Sequence, residues 1–359
     1  DVDGDSLSVV DLKIASGDGS LKDNNDGTFT FSPSPNWNGE VDFSYGVSDE
    51  EDQRQSKGGE RVERRGTPGR SFNEWGNAHA FAAFKDDGSV VTWGKETSGG
   101  NSKEVSEQLK TDVARIFSSR DAFAALKNDG SVITWGQENI GGDSSDVKNK
   151  LLSGVTRISS TTQAFAAIKE DGSVVTWGAS QSGGNSEEVK ALLAQDVKEV
   201  YSNAHSFTAL KTDGSAVTWG AVHETRNANT TVHPLNNTQL SNISDIASTH
   251  SAFAALKKDG SVATWGHKDF GGDSEAVKAQ LNSGVIKLFA TDVAFAALKQ
   301  DGSVVTWGRA SGGGRTDNQK AKLEANVIDI FSTAAAFVAL KDDGSLAAWG
   351  SGNHGGSHG

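Results

Sequence analysis

Cysteine and methionine are both absent from the 359 residues, and proline occurs only 4 times. Without cysteine there are no disulfides and no thiol chemistry, which is compatible with any compartment. No run of about 18 apolar residues occurs, so no segment inserts into a membrane as a spanning helix, and no signal-peptide pattern is visible. Basic residues are in deficit, 34 Lys and Arg against 47 Asp and Glu, for a net charge of -13. A phosphate backbone repels such a surface, which argues against a nucleic-acid partner. The one basic cluster, Arg61, Arg64, Arg65 and Arg70, is interleaved with Glu60 and Glu63 and reads as a solvated linker. The chain starts inside an acidic motif, Asp1-Val2-Asp3-Gly4-Asp5, as expected of a piece of a longer or processed polypeptide.

What is present is repetition. The string AFAALKNDGSVITWG at 122–136 recurs with its phenylalanine at Phe81, Phe123, Phe165, Phe207, Phe253, Phe295 and Phe337. Neighbouring copies are 42 residues apart, except for 46 between Phe207 and Phe253. Such a period signals a repeat architecture. Ala122 to Lys127 is a short apolar run, as expected of a strand covered on both faces. Asp129-Gly130 between two apolar runs is a strong hairpin signal, with glycine supplying the positive φ. Ser131 to Trp135, rich in β-branched and aromatic residues, is the returning strand. After Trp-Gly comes a variable stretch and then Gly-Gly-Asn/Asp-Ser, as in Gly183-Gly184-Asn185-Ser186. Asn185 and Ser186 suit a helix N-cap, Glu187 and Glu188 suit the positive end of a helix, and Val189, Leu192 and Leu193 share a helical face. A strand such as Val197 to Ser202 leads into the next copy.

A unit this small cannot bury its own apolar faces, whereas stacked neighbours can, and seven units suit a closed ring. The fold class expected is all-β: a seven-bladed β-propeller over 71–359 with short helices between blades, preceded by a partial β-sandwich segment over 1–49 and a linker over 50–70. An open solenoid is the alternative architecture. The Ala-rich strands suit the crowded centre. Ser71 to His79 matches the strand that precedes each hairpin (GNAHAF at 76–81 against SNAHSF at 202–207) and is expected to complete the last blade or the first.

The apolar strand, the DG turn and the V-x-x-WG strand, seven times in one register, resemble the regulator-of-chromosome-condensation repeat family. In repeat length they are closer to its bacterial propellers, which include a secreted β-lactamase inhibitor. That resemblance implies the propeller fold and leaves function open. The family often carries histidine two residues before the hydrophobic residue of the strand. Here only His79 and His205 stand there, and Gly-Gly-Asp/Asn-Ser replaces Gly-Gln-Leu-Gly, which speaks against nucleotide exchange. In the first segment, Asp1-Val2-Asp3-Gly4-Asp5, Asp26-Gly27-Thr28-Phe29 and Asn36-Trp37-Asn38-Gly39 resemble the cadherin-like repeats of giant bacterial surface adhesins. That resemblance implies an extracellular or cell-surface setting and a structural calcium site. Asp1, Asp3 and Asp5 place carboxylates on alternate residues that can converge on such a hard cation. A solvated acidic terminus is the competing reading, and no other cofactor is expected.

Catalytic patterns are not found. No nucleophile elbow or phosphate loop occurs, and the histidines around the fourth repeat lack zinc-ligand spacing. Function should instead lie in what fails to repeat. Antiparallel geometry puts the turn before each Ala/Ser-Phe and the stretch after each Trp-Gly on one face, opposite the DGS turns. Loops on a rigid scaffold are where binding usually resides. The residues expected to contact a protein or glycan ligand are Lys95, Glu96, Arg120, Gln137, Glu138, His205, His223, Glu224, Arg226, His250, His267, Lys268, Phe270 and Arg309. The fourth repeat, longer by four and without Gly-Gly, adds the polar stretch His223 to Asn242. The reading is a non-catalytic binding module of a bacterial surface adhesin, monomeric within a longer polypeptide. A structural spacer or a secreted inhibitor-like propeller is the alternative.

Overall fold

In the computed structural model the described residues are 8–16, 19–23, 29–33, 42–48, 75–85, 87–221, 240–316 and 319–357. The chain divides into two compact units, Asp1–Arg61 and Val62–Gly359. In the first, β1 (Ser8–Ser16) pairs antiparallel with β4 (Asp42–Ser48), and β2 (Gly19–Asp23) with β3 (Phe29–Pro33). Strands therefore form where apolar and polar residues alternate between Gly/Asn/Asp clusters, as expected. The expected linker at 50–70 lies outside the described residues.

The second unit is the propeller, one antiparallel sheet per repeat. The first copy holds β5 (Ala80–Phe84) and β6 (Val90–Gly94). The second pairs β7 (Val113–Ser118), β8 (Ala122–Lys127) and β9 (Val132–Gly136) in that order. Sheets over 155–178, 197–220, 243–266, 285–308 and 327–350 repeat the three-stranded pattern.

The Ala-rich strand is the middle strand of its sheet rather than the one at the centre of the ring. Ala122, Ala124 and Ala125 are wholly buried because both edges of β8 are paired and both faces are covered. Ala122 and Ala124 share a core cluster with Phe165 and Trp177 of the next copy, and Ala125 shares another with Ala80 of the copy before. Small side chains let the sheets approach there. The strand nearest the axis is the one before it, since the first strands of successive sheets touch one another. The apolar core thus runs between blades, so no single repeat contains it.

At the DGS turns Gly130 has φ +76°, and the Asp129 carboxylate accepts the N–H and the hydroxyl of Ser131 at 2.9 and 2.6 Å. The expected short helices are instead 3-10 turns, such as Glu187–Val189. Asn185, not the serine, accepts the Glu187 N–H, at 2.9 Å. The segment is too short to close a second α-turn before the next strand, and among the described residues one α-helical turn forms, Lys278–Leu281.

Of the closing strand expected over Ser71 to His79, residues 71–74 lie outside the described residues, and residues 75–79 are irregular. Trp75, which stands in the repeat register of Phe117, turns toward the axis. Its N–H bonds Ser160 Oγ at 3.1 Å, its carbonyl accepts the Ser118 hydroxyl at 2.5 Å, and its ring lies 5.8 Å from that of His250. One residue thereby touches the second, third and fifth copies, which places those blades around a common centre.

Candidate functional site

The two variable loops of each copy meet at one end of the sheets. The Gln137 N–H bonds the Asp121 carbonyl at 2.9 Å, and the Ser119 hydroxyl bonds the Ile140 carbonyl at 3.0 Å. Successive copies are then tied along this rim by their main chains. Ala78, Arg120, Thr162, Ala204, His250 and Asp292 each donate a backbone N–H to the counterpart in the next copy, ending at the Ala334 carbonyl, at 2.8–3.1 Å. The bonds of this ladder are main-chain bonds, to which only the Thr162 hydroxyl adds one, to the Ala204 carbonyl at 2.6 Å, so its residues are largely free to differ. It holds the side chains of Arg120, Thr162, His250 and Asp292 around one axial rim.

On that rim the fourth, fifth and sixth copies converge. The ring centroids of His205 and His250 are 5.5 Å apart, His250 and Phe270 5.7 Å, and His267 and Phe270 5.2 Å in an edge-on contact. The Arg309 guanidinium lies over Phe270, 4.7 Å from its centroid. With Trp75 against His250, this is a continuous run of aromatic and cationic groups on rigid turns. The histidines and Phe270 are half-buried, while Arg309 and Lys268 are exposed. Such a surface offers flat faces for stacking, N–H donors and a cation, the groups that dominate recognition energies.

A second pair lies across the rim. His79 Nδ1 contacts Asp121 Oδ1 at 2.5 Å, and Arg120 Nε is 3.8 Å from the other carboxylate oxygen. Burial pushes the Asp121 carboxyl up, but the hydrogen bond from His79, with Ser98 and Arg120 alongside, outweighs it and holds the group below the usual carboxylate value.

Of the residues expected from sequence, His205, His250, His267, Phe270 and Arg309 are brought together. Arg120 stands on the same rim beside Asp121. Lys95, Glu96, Gln137 and Glu138 are exposed on the loops of the first two copies and do not join the run. Lys268 and Glu138 instead line two grooves between neighbouring blades, of about 1040 and 1110 Å³. His223, Glu224, Arg226, Asp1, Asp3 and Asp5 lie outside the described residues. Trp75, His79 and Asp121 were not among the expected ligand contacts. For Trp75 the only sequence signal is a bulky aromatic in register with Phe117. Among the described residues no three His, Asp or Glu side chains group as metal ligands, and no helix is long and apolar enough to cross a membrane.

A cadherin-like domain family model matches residues 1–60, the segment whose Asp-Gly and Asn-Trp-Asn-Gly motifs carry that resemblance. No curated protein matches the chain. Solved structures that resemble it include yeast Prp20p (Saccharomyces cerevisiae), described by its binding to Gsp1p and histones. It is 16% identical over 66% of this chain and 71% of its own, with a TM-score of 0.36. Human WBSCR16 is 16% identical over 74% and 86%, with a TM-score of 0.42. BamB from Moraxella catarrhalis is 12% identical over 78% and 81%, with a TM-score of 0.30. The propeller itself rests on the seven sheets described above.

Proposed function

We propose that the chain is a non-catalytic extracellular binding module of a bacterial surface adhesin that holds a protein or glycan ligand on its axial loop face. The observation that carries this reading is the run Trp75, His250, His205, Phe270, His267 and Arg309, in which non-repeating residues of four copies meet. The repeating residues hold the scaffold. The residues that differ are gathered, at contact distance, on loops whose backbones are tied together. A fixed platform presenting aromatic and Arg groups loses little conformational entropy on binding. The cadherin-like match over residues 1–60 supports the surface setting.

The test is attachment of the full chain to immobilised host-cell surface proteins and glycans. The turns at 249–251 and 267–270 are exchanged for their third-copy counterparts at 161–163 and 179–182. Attachment is expected to fall at least tenfold with an unchanged melting profile. Attachment that survives the exchange at full strength would favour a spacer and sink this reading.

A further inference from the structure

Trp75 reaches the axial loop face by leaving the repeat. Its counterpart Phe117 lies inside a first strand, where it pairs with Ala124 and is buried, 3% exposed. Trp75 instead lies in an irregular stretch, and side chains of other copies meet both of its main-chain polar groups. The Trp75 N–H donates to Ser160 Oγ at 3.1 Å, and the Ser118 hydroxyl donates to the Trp75 carbonyl at 2.5 Å. Its indole stands at 87° to the His250 ring, with the centroids 5.8 Å apart. The second, third and fifth copies thus engage three groups of a single residue: its carbonyl, its N–H and its aromatic ring.

The two serines belong to the repeat. Serine closes five of the six described first strands, as Ser118, Ser160, Ser202, Ser248 and Ser332. A hydroxyl both donates and accepts, so one residue type serves an N–H at Ser160 and a carbonyl at Ser118. Ser160 is wholly buried, and a hydrogen bond made there is shielded from water. The chain after Trp75 is tied down separately. Asn77 Oδ1 accepts the N–H groups of His79 and Ala80, both at 2.9 Å, and Asn77 Nδ2 donates to the Ser98 carbonyl at 2.8 Å. The Ala78 N–H donates to the Arg120 carbonyl at 2.8 Å. Between the two anchorages stands Gly76, where even a Cβ would meet nothing within 4 Å. Rotation about Gly76 therefore takes Trp75 off the axis while Asn77 and β5 stay in place.

We propose that the seat of Trp75 is a peptide-binding site for an aromatic residue of a partner protein, and that Trp75 fills it in cis until such a residue displaces it. This rests on the reading of the loop face as a binding surface, and it selects protein over glycan. The two hydroxyls are spaced for the N–H and the carbonyl of one amino-acid residue, and the ring contact is oriented for an aromatic side chain. A partner residue arriving with the same three groups makes the same three contacts. His205 and Phe270, whose rings lie 5.5 and 5.7 Å from that of His250, border the seat and face the residues that flank it. Because Trp75 is tethered, it competes at high effective concentration and lowers the apparent affinity for any residue from outside.

The test uses the full chain and a fluorophore-labelled, end-blocked peptide copying residues 73–77, Asn-Glu-Trp-Gly-Asn, read by fluorescence anisotropy. Trp75→Ala empties the seat and is expected to bind the peptide about tenfold more tightly than the unaltered chain, or better. The gain should vanish when the peptide carries alanine for tryptophan, and when Ser118→Ala and Ser160→Ala accompany Trp75→Ala. Equal affinity of the unaltered and Trp75→Ala chains, or no binding to either, overturns the proposal. If Trp75→Ala does not fold, Trp75→Gln, which keeps more bulk, takes its place. If neither folds, Trp75 is a structural plug and the proposal falls. Attachment to glycans that depends on the turns at 249–251 and 267–270, with the peptide unbound, rejects this site while leaving the wider reading of the loop face intact.

Discussion

The indole Nε1 of Trp177 donates to the carbonyl oxygen of Gly141 at 3.1 Å, across the boundary between two copies. Trp177 also stacks on Phe165, its cross-strand partner. One side chain thus joins the two strands of its own hairpin and the turn of the preceding copy. Removing the N–H leaves a carbonyl unpaired at a dry joint, and the smaller ring leaves a void. Trp177→Phe is expected to lower stability by about 1–3 kcal/mol, read from urea melts. Trp93→Phe, at an exposed site, should change it by no more than about 0.5 kcal/mol. Trp265 forms an internal control. The copy before it lacks Gly-Gly, and among the described residues its Nε1 has no acceptor, so Trp265→Phe should cost less than Trp177→Phe.

Gly141 carries the other half of that joint. Its φ is +108°, and a Cβ would lie 2.4 Å from the Phe165 ring. Gly141→Ala therefore combines a disfavoured backbone with overpacking and is expected to cost about 2–4 kcal/mol. Gly355 has φ +91°, and a Cβ there would meet nothing within 4 Å, so Gly355→Ala meets only the backbone term, about 1–2 kcal/mol or less. Paired denaturant midpoints for the two variants check the difference.

The DGS turns give the protein a specific acid response. The carboxyls of Asp87, Asp129, Asp171, Asp213, Asp259, Asp301 and Asp343 are all held below their ordinary value of 3.8, first by the serine hydroxyl two residues on and then by its N–H. A depressed carboxyl binds its proton more weakly folded than unfolded. Its stabilisation is therefore complete above 3.8 and is lost as pH falls through the lower folded value. Stability should be flat from neutral pH to the unfolded carboxylate range and drop below it. Each site is exposed, so each step is small and the loss is shared over seven turns. Urea midpoints against pH test this, and replacing Ser131, Ser173, Ser261 and Ser303 by alanine should flatten the acid limb.

Arg309 separates the loop face from the fold. Its guanidinium lies over Phe270 but is exposed, so the contact contributes on the order of 0.5–1 kcal/mol. Arg309→Ala is expected to shift the melt by no more than that and to weaken ligand attachment severalfold. A melt lowered by several kcal/mol would show instead that the run of rings supports the propeller.

Much of this was legible beforehand because short-range chemistry specifies it. Asp-Gly-Ser between two apolar runs forms the same turn in every copy, since glycine's positive φ and the Asp–Ser hydrogen bonds are both local. Phe123 and Trp135 were visibly in register, and their pairing follows from the hairpin between them. The Gly-Gly turn was misread as a helix entry. Its glycines answer to contact with another copy, Gly99 under Phe123 and Gly141 under Phe165, and such contacts leave no mark on local propensity. The Ala-rich strand was placed too near the axis for a similar reason. A strand buried on both faces has the same composition wherever in the ring its cover comes from.

Residues far apart in sequence meet at the loop face by a rule that only the arrangement of the sheets about one axis supplies. Trp75 and His250 are separated by most of the propeller, yet their rings lie 5.8 Å apart, because sheets arranged about one axis bring the first residues of one copy across to the turn of another. By itself the sequence determined the repeat, its hairpin and the apolar faces that oblige copies to stack, since those depend on neighbours along the chain. Which non-repeating residues converge depended on the rotation from sheet to sheet. That rotation is set by packing between copies, so only the tertiary structure decided it.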